Sequence, residues 1–222
     1  MFCVPIIASD TEEAVSKVAA AGRVADVLEV RLDLMDSFDI RRIVRAAEKP
    51  VLVTYRSLRE GGKGKDKPEQ VAGYLLSAVE AGADLVDVEL SMSPEIRNMI
   101  IGAPGKAEIV ISTHVTKETP SDDALEKIYN DSIAAGGDII KIVTMARQWE
   151  DNLRMLGLVS RAKRDKVRII SFCMGAIGRM SRVFSVHMGA CMTFASLGPG
   201  QESANGQIDI HKMKEIAGYF AT

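Results

Sequence analysis

Short apolar runs rich in β-branched residues recur along the chain at Val4–Ala8, Val27–Leu32, Val51–Tyr55, Leu85–Leu90, Ile109–Thr113, Ile139–Thr144, Val167–Phe172 and Met192–Ala195. Each has the length of a strand, and the last is the weakest. Most are separated by segments with apolar residues at helical spacing, among them "TEEAVSKVAAAG", "PEQVAGYLLSAVEAGA", "SDDALEKIYNDSIAAGG" and "QWEDNLRMLGLVSRAK". Start signals precede two of these: Asp10 or Thr11 with Glu13, and Ser121 with Asp122 and Asp123. Gly22, Gly82 and Gly136 mark ends. Strand and helix in steady alternation predict a parallel sheet covered by helices, and continuous apolar runs suit strands buried on both faces. Eight such units predict an α/β fold of the (β/α)8 TIM-barrel type, spanning residues 1–222 as a single catalytic domain. A doubly wound open sheet is the alternative; it usually carries a Gly-rich turn after an early strand, and "IIASD" has none.

Composition narrows the partners. A formal net charge of −2 offers no concentrated positive field for nucleic acid or an anionic membrane. Cys3, Cys173 and Cys191 lack close pairing and metal-ligand spacing, so they are expected as reduced core thiols rather than a disulfide framework. The N-terminal "MFCVPIIASD" has no basic leader, and no apolar run approaches the roughly 20 residues that span a bilayer. A soluble, cytoplasmic protein is the expectation.

Barrel active sites lie at the C-terminal ends of the strands, and unusual polar residues gather there: Ser9, Glu29, Arg31, Arg56, Glu89, His114, Lys141 and Ser171. Several have structural readings. Glu29 and Arg31 are two apart, share a strand face and could form an ion pair. Arg56 could lie on the surface, His114 could be a hydrogen-bonded core residue, and Glu89 could orient neighbours. Lys141, flanked by Ile139, Ile140, Ile142 and Val143, could snorkel outward along its stem. If it points inward, burial and nearby arginines would favour a neutral amine able to attack a carbonyl and form a Schiff base, with His114 moving the protons.

The motifs "LEVRLD", "TYRSLREGG", "STHV", "KIVTM", "MGAIGRMSR" and "ESANGQI" occur in an order and spacing that resemble the type I 3-dehydroquinate dehydratases. The resemblance runs from the first strand to near the C-terminus. It implies a (β/α)8 barrel of the shikimate pathway that converts 3-dehydroquinate to 3-dehydroshikimate without metal or organic cofactor, working as a cytoplasmic homodimer. By the same match Lys141 forms the imine with the C3 ketone. His114 serves as general acid and base, taking a C2 proton and donating to the departing C1 hydroxyl. Glu60 orients His114, with Glu89 as the other candidate. Arg182 binds the substrate carboxylate, and Ser9, Glu29, Arg31, Arg56, Ser203 and Gln207 hold hydroxyls and the carbonyl region. Where many members have proline before the last-loop glycine, this chain has Asn205. It is also expected to lack an N-terminal extension common in bacterial members.

Two Gly-rich segments, "REGGKGKDKPEQ" and "SLGPGQESANGQI", are expected to be mobile lids; a phosphate cradle of the kind a class I aldolase uses is the alternative. A catalytically silent barrel that binds a small acid is the reading outside enzymes.

Overall fold

In the computed structural model, which describes residues 1–220, the apolar runs become the strands of one parallel sheet. The strands are β1 (Phe2–Ile6), β2 (Val27–Arg31), β3 (Val51–Thr54), β4 (Leu85–Glu89), β5 (Glu108–Val115), β6 (Ile139–Met145), β7 (Ile169–Met174) and β8 (Thr193–Phe194). Hydrogen-bonded neighbours run β7-β6-β5-β4-β3-β2-β1-β8, which curls the sheet into a nearly closed (β/α)8 barrel. Around it lie α1 (Thr11–Ala21), α2 (Ile40–Ala46), α3 (Pro68–Ala81), α4 (Pro94–Ile101), α5 (Asp122–Ala134), α6 (Glu150–Asp165), α7 (Arg179–Met188) and α8 (Ile210–Gly218). Asp10 and Ser121 cap α1 and α5 by accepting from the backbone N–H groups of Glu13 and Ala124. The first strand ends at Ile6 rather than Ala8, because its ladder with β2 stops at the Ile6–Val30 pair.

Alternation along each strand sorts the side chains. Outward-facing residues such as Leu28, Val30, Val53, Val86 and Ile111 pack with the helices, as do Ile140, Ile142, Ile169 and Cys173 on the other side. Inward-facing Cys3, Leu52, Val110 and Ile170 from odd strands pack with Val27, Leu85, Ile139 and Met192 from or beside even strands to seal the N-terminal end of the barrel. One step further along the even strands, the inward positions are Glu29, Asp87, Lys141 and Phe194. All four are buried.

A repeated device sets that register. Asp26, Asp84 and Asp138 each stand immediately before an even strand and accept an N–H at the start of the preceding odd strand, from Phe2 at 2.7 Å, Val51 at 2.8 Å and Ile109 at 2.8 Å. Three residues beyond each aspartate come Glu29, Asp87 and Lys141. The lysine therefore occupies the position that the two earlier strands give to acids.

Among the described residues no ladder joins β7 to β8. The eighth strand pairs only with β1, through Phe2–Thr193 and Cys3–Phe194. This seam gives a helix residue access to the interior.

Candidate active site

A cavity of about 580 Å³ opens at the C-terminal ends of the strands, a size suited to a small metabolite. Lys141 lies at its inner end, 3% exposed. Its Nζ donates to Asp87 Oδ2 at 3.0 Å, lies 3.6 Å from Glu29 Oε1, and sits 4.4 Å from the centroid of the Phe194 ring. The lysine thus points inward and does not snorkel. The expectation that arginines crowd its amine is corrected: its nearest charged partners are carboxylates, since Asp87 intervenes between Lys141 and Arg56. Burial works against the charge of Asp87, but Arg56, Lys141 and His114, with a hydrogen bond from Ser112 at 2.5 Å, hold its pKa well below the usual carboxylate range.

Arg56 is also buried and is not a surface residue. Its Nη1 donates to Glu89 Oε1 at 2.9 Å, to Ser112 Oγ at 3.0 Å and to Glu60 Oε2 at 3.3 Å. Its Nη2 is 2.7 Å from Asp87 Oδ2, an ion pair too bent to count as a hydrogen bond. Glu60, rather than Glu89, faces His114. Glu60 Oε2 lies 3.1 Å from Nδ1 and accepts the backbone N–H of His114 at 3.0 Å, while Ser91 donates to Oε1 at 2.9 Å. Glu89 is taken by Arg56 and by the N–H of Ser57. Burial and the neighbouring Glu89 raise the Glu60 pKa to about 7 against the opposing pull of Arg56. Burial first, then Arg56 and Lys141, hold the His114 pKa well below its ordinary value. At neutral pH the imidazole is therefore uncharged, and a proton on Nδ1 facing Glu60 leaves Nε2 as the free base.

The structural alternative for Glu29 and Arg31, an ion pair between them, does not form. Arg31 instead makes a two-pronged pair with Asp33, with Nε to Oδ1 at 2.7 Å and Nη2 to Oδ2 at 2.8 Å. Glu29 accepts from Thr54 Oγ1 at 3.0 Å. The cause is local: a 3-10 turn over Leu32–Leu34 follows β2 directly and swings Asp33 back under the guanidinium.

Arg182 has the opposite surroundings. It belongs to α7 and enters through the β7/β8 seam, where Nη1 donates to the carbonyl of Phe194 at 3.1 Å and the guanidinium lies 4.3 Å from the centroid of the Phe172 ring. It is 1% exposed, yet Nε and Nη2 have no hydrogen-bond partner and no acidic side chain among the described residues pairs with it. Burial lowers its pKa to about 9, so it carries its charge at neutral pH. An unpaired buried cation is expensive, and an anion bound beside it would offset that cost.

The loop between β8 and α8 supplies Ser203 and Gln207. Gln207 Nε2 donates to Ser203 Oγ at 3.1 Å, and Gln207 Oε1 accepts the N–H of Ser203 at 2.8 Å. Asn205 docks the loop on the β7–α7 turn, its carbonyl accepting from Gly175 N at 3.0 Å. A Cβ on Gly206 would stand 2.2 Å from the Gly175 carbonyl oxygen, so only glycine permits this approach. The other Gly-rich segment is a folded turn rather than an unattached lid. Gly62 N donates to Ser57 O at 2.9 Å and Gly64 N to Arg56 O at 3.0 Å, while Lys65 and Lys67 stay exposed.

The cavity collects Glu29, Arg31, Arg56, Glu60, His114, Lys141, Arg182, Ser203 and Gln207. It does not collect Ser9, which is exposed and donates from Oγ to Glu13 Oε2 at 2.8 Å at the start of α1. The sequence reading passed over Asp87. The signal was present, because Asp87 and Glu89 are two apart on β4 and must share the inward face.

Fold and site together define a (β/α)8-barrel enzyme that acts on a small anionic metabolite. The chain belongs to the type I 3-dehydroquinase family, whose model matches residues 2–221, and is a hydro-lyase. It is 33% identical over 221 residues to a 3-dehydroquinate dehydratase of Methanococcus maripaludis strain S2, covering 97% of this chain and 98% of that one. The 3-dehydroquinate dehydratase of Methanocaldococcus jannaschii is 33% identical over 218 residues, with 97% of each covered. Among solved structures, the 3-dehydroquinate dehydratase from Geobacillus kaustophilus superposes with a TM-score of 0.87 at 28% identity, covering 98% of this chain and 90% of that one.

Proposed function

We propose that residues 1–222 act as a single catalytic domain that dehydrates 3-dehydroquinate to 3-dehydroshikimate through a Schiff base on Lys141. The observation that carries this reading is a buried amine opening into the same cavity as a neutral, oriented histidine and an unpaired arginine. Arg182 takes the carboxylate at the β7/β8 side, which turns the ring toward Lys141. Lys141 adds to the C3 ketone, and loss of water leaves an iminium. His114 then removes the C2 proton, and the electron pair left behind is delocalised into the iminium as an enamine. Re-formation of the iminium expels the C1 hydroxyl, which takes its proton from His114 and leaves as water. Hydrolysis frees the product and the lysine. Glu60 fixes the histidine, while Glu29, Arg31, Arg56, Ser203 and Gln207 hold hydroxyls and the carbonyl region.

Incubation with 3-dehydroquinate and borohydride, followed by intact mass and peptide mapping, tests the chemistry. The expected result is a reduced adduct on the peptide that contains Lys141. Enone absorbance that rises with no adduct at any time would sink the imine. Assembly as a homodimer in the cytoplasm is proposed from the family resemblance, and light scattering on the purified chain tests the dimer. Among the described residues no helix is long and apolar enough to cross a membrane.

A further inference from the structure

Asp87 has no part in the steps above, yet it is the acid nearest to the reacting nitrogen. Its Oδ2 accepts from Lys141 Nζ at 3.0 Å, and its Oδ1 accepts from Ser112 at 2.5 Å. Glu29 lies at 3.6 Å and already accepts from Thr54, so it is the weaker partner. Arg56 touches Asp87 as well, but Glu89 and Glu60 are also against that guanidinium and draw on its charge. Asp87 therefore shares its negative charge between Arg56, at 2.7 Å, and Lys141, at 3.0 Å, and is the only one of these acids that hydrogen-bonds the amine.

Charge bookkeeping gives this contact a function. An ammonium and a ketone yield an iminium and water, so the nitrogen carries one positive charge before and after condensation. That charge must persist, because only the protonated imine draws electrons strongly enough to release the C2 proton. In a buried site an iminium without a counter-charge would shed its proton. Resting on the imine reading above, we infer that Asp87 is the counter-ion of the Lys141 iminium: a positioning residue that first fixes the amine and then keeps the imine protonated through elimination. The Phe194 ring, 4.4 Å from Nζ, adds a favourable face for the same cation. The other groups facing this pair are Glu29 from β2, Arg56 after β3, Glu89 from β4, Ser112 and His114 from β5, and Glu60 beside His114.

The test uses full-length protein labelled with 15N-lysine and loaded with 3-dehydroshikimate, whose imine is followed by 15N resonance as pH is raised. In the wild-type protein the iminium should hold its proton to well above the pH at which the imine of the same ketone with free butylamine loses it. In Asp87→Asn the loss should move down by about one pH unit or more. The alkaline limb of kcat should move by the same amount, with kcat lower by about tenfold and KM changed less than about threefold. Equal titration in the two proteins overturns the inference. So does a wild-type iminium that titrates no higher than the butylamine imine, a result that needs no variant to fold. Absence of any borohydride-reducible adduct in the wild-type protein would instead overturn the imine reading, and this inference with it.

Discussion

The two sides of the cavity treat a buried cation in opposite ways. Between β2 and β6, Lys141 and Arg56 are met by Asp87, Glu29, Glu89 and Glu60, all within 4 Å of one or the other. At the β7/β8 seam, Arg182 meets a carbonyl and an aromatic ring but no acid. Desolvation costs are offset on the first side by the protein's own carboxylates. On the second the offset is left to the ligand. Under the proposed function the contrast gives the cavity a direction: an anionic group would be drawn to the seam, and the far end of the ligand would reach the network proposed to hold the nucleophile and move protons.

Removing each cation should therefore have opposite effects on stability while both impair function. Lys141→Met should lower kcat on the order of 10⁴-fold or more and abolish the adduct. It leaves Asp87 and Glu29 short of a counter-charge, so stability should fall by about 3 kcal/mol in urea melts. Arg182→Leu should raise KM by about 30-fold to 1000-fold, the scale of truncating one partner of a buried charge pair, with a smaller effect on kcat. Its apo form should be more stable by about 1–4 kcal/mol, since a buried charge is exchanged for a hydrophobic group. An unchanged KM, or a marked loss of stability in Arg182→Leu, would remove the distinction between the two sides.

Glu60 sharpens the comparison within the acidic side. Its proton is held to about pH 7 in the folded protein, against an ordinary value of 4.5. The unfolded chain releases that proton at lower pH than the native state does, so this group's contribution to stability falls as pH rises between those two values. The loss amounts to roughly 3 kcal/mol, and Glu60→Gln should flatten that slope in melts between pH 5 and 8. In kinetics, kcat/KM of the wild type should show an acid limb near pH 7 as Glu60 ionises and fixes the Nδ1 proton of His114. The limb is assigned to Glu60 because burial, Arg56 and Lys141 hold the pKa of His114 well below its ordinary value. Glu60→Gln should lose the limb at the expense of about tenfold in rate. A limb that stays in place in the variant would show that another group titrates there.

Much of this arrangement was legible in the chain. Short β-branched apolar runs identified the strands, and the lysine inside Ile139–Val143 raised an inward amine as one of two readings, between which the closed barrel decided. The even-strand register was also written in the sequence, since Asp26, Asp84 and Asp138 each precede an inward charged residue by three positions. Read as a repeat, that spacing would have singled out Asp87 beside Glu29 and Lys141. Other features depended on geometry that strand periodicity does not carry. The partner of Arg31 was decided by a turn beyond the strand. The environment of Arg182 was decided by a missing ladder, to which the weakness of the eighth apolar run was the only sequence clue. The choice between Glu60 and Glu89 was decided by which acid Arg56 and the Ser57 N–H had already taken.

Ser9 carries the smallest expected effect and separates motif resemblance from geometry. The motif match gives it a hydroxyl-binding role, but β1 leaves the sheet after Ile6, and the turn that follows carries Ser9 to the start of α1. There both its backbone N–H and its hydroxyl donate to Glu13 Oε2, each at 2.8 Å. Glu13 in turn pairs with Lys17, and the bond from Lys17, followed by those from Ser9, lowers its pKa to about 2. This network is solvated, so loss of one hydroxyl should leave stability nearly unchanged. Ser9→Ala should leave kcat unchanged and move KM by less than about twofold, below the change expected from losing a hydrogen bond to substrate. A tenfold rise in KM would mean that the β1–α1 turn folds inward over bound substrate and brings the hydroxyl into the cavity. The acidic side would then extend past β2 to the first strand, and Ser9 would join Ser203 and Gln207 as a third contact to the ring hydroxyls.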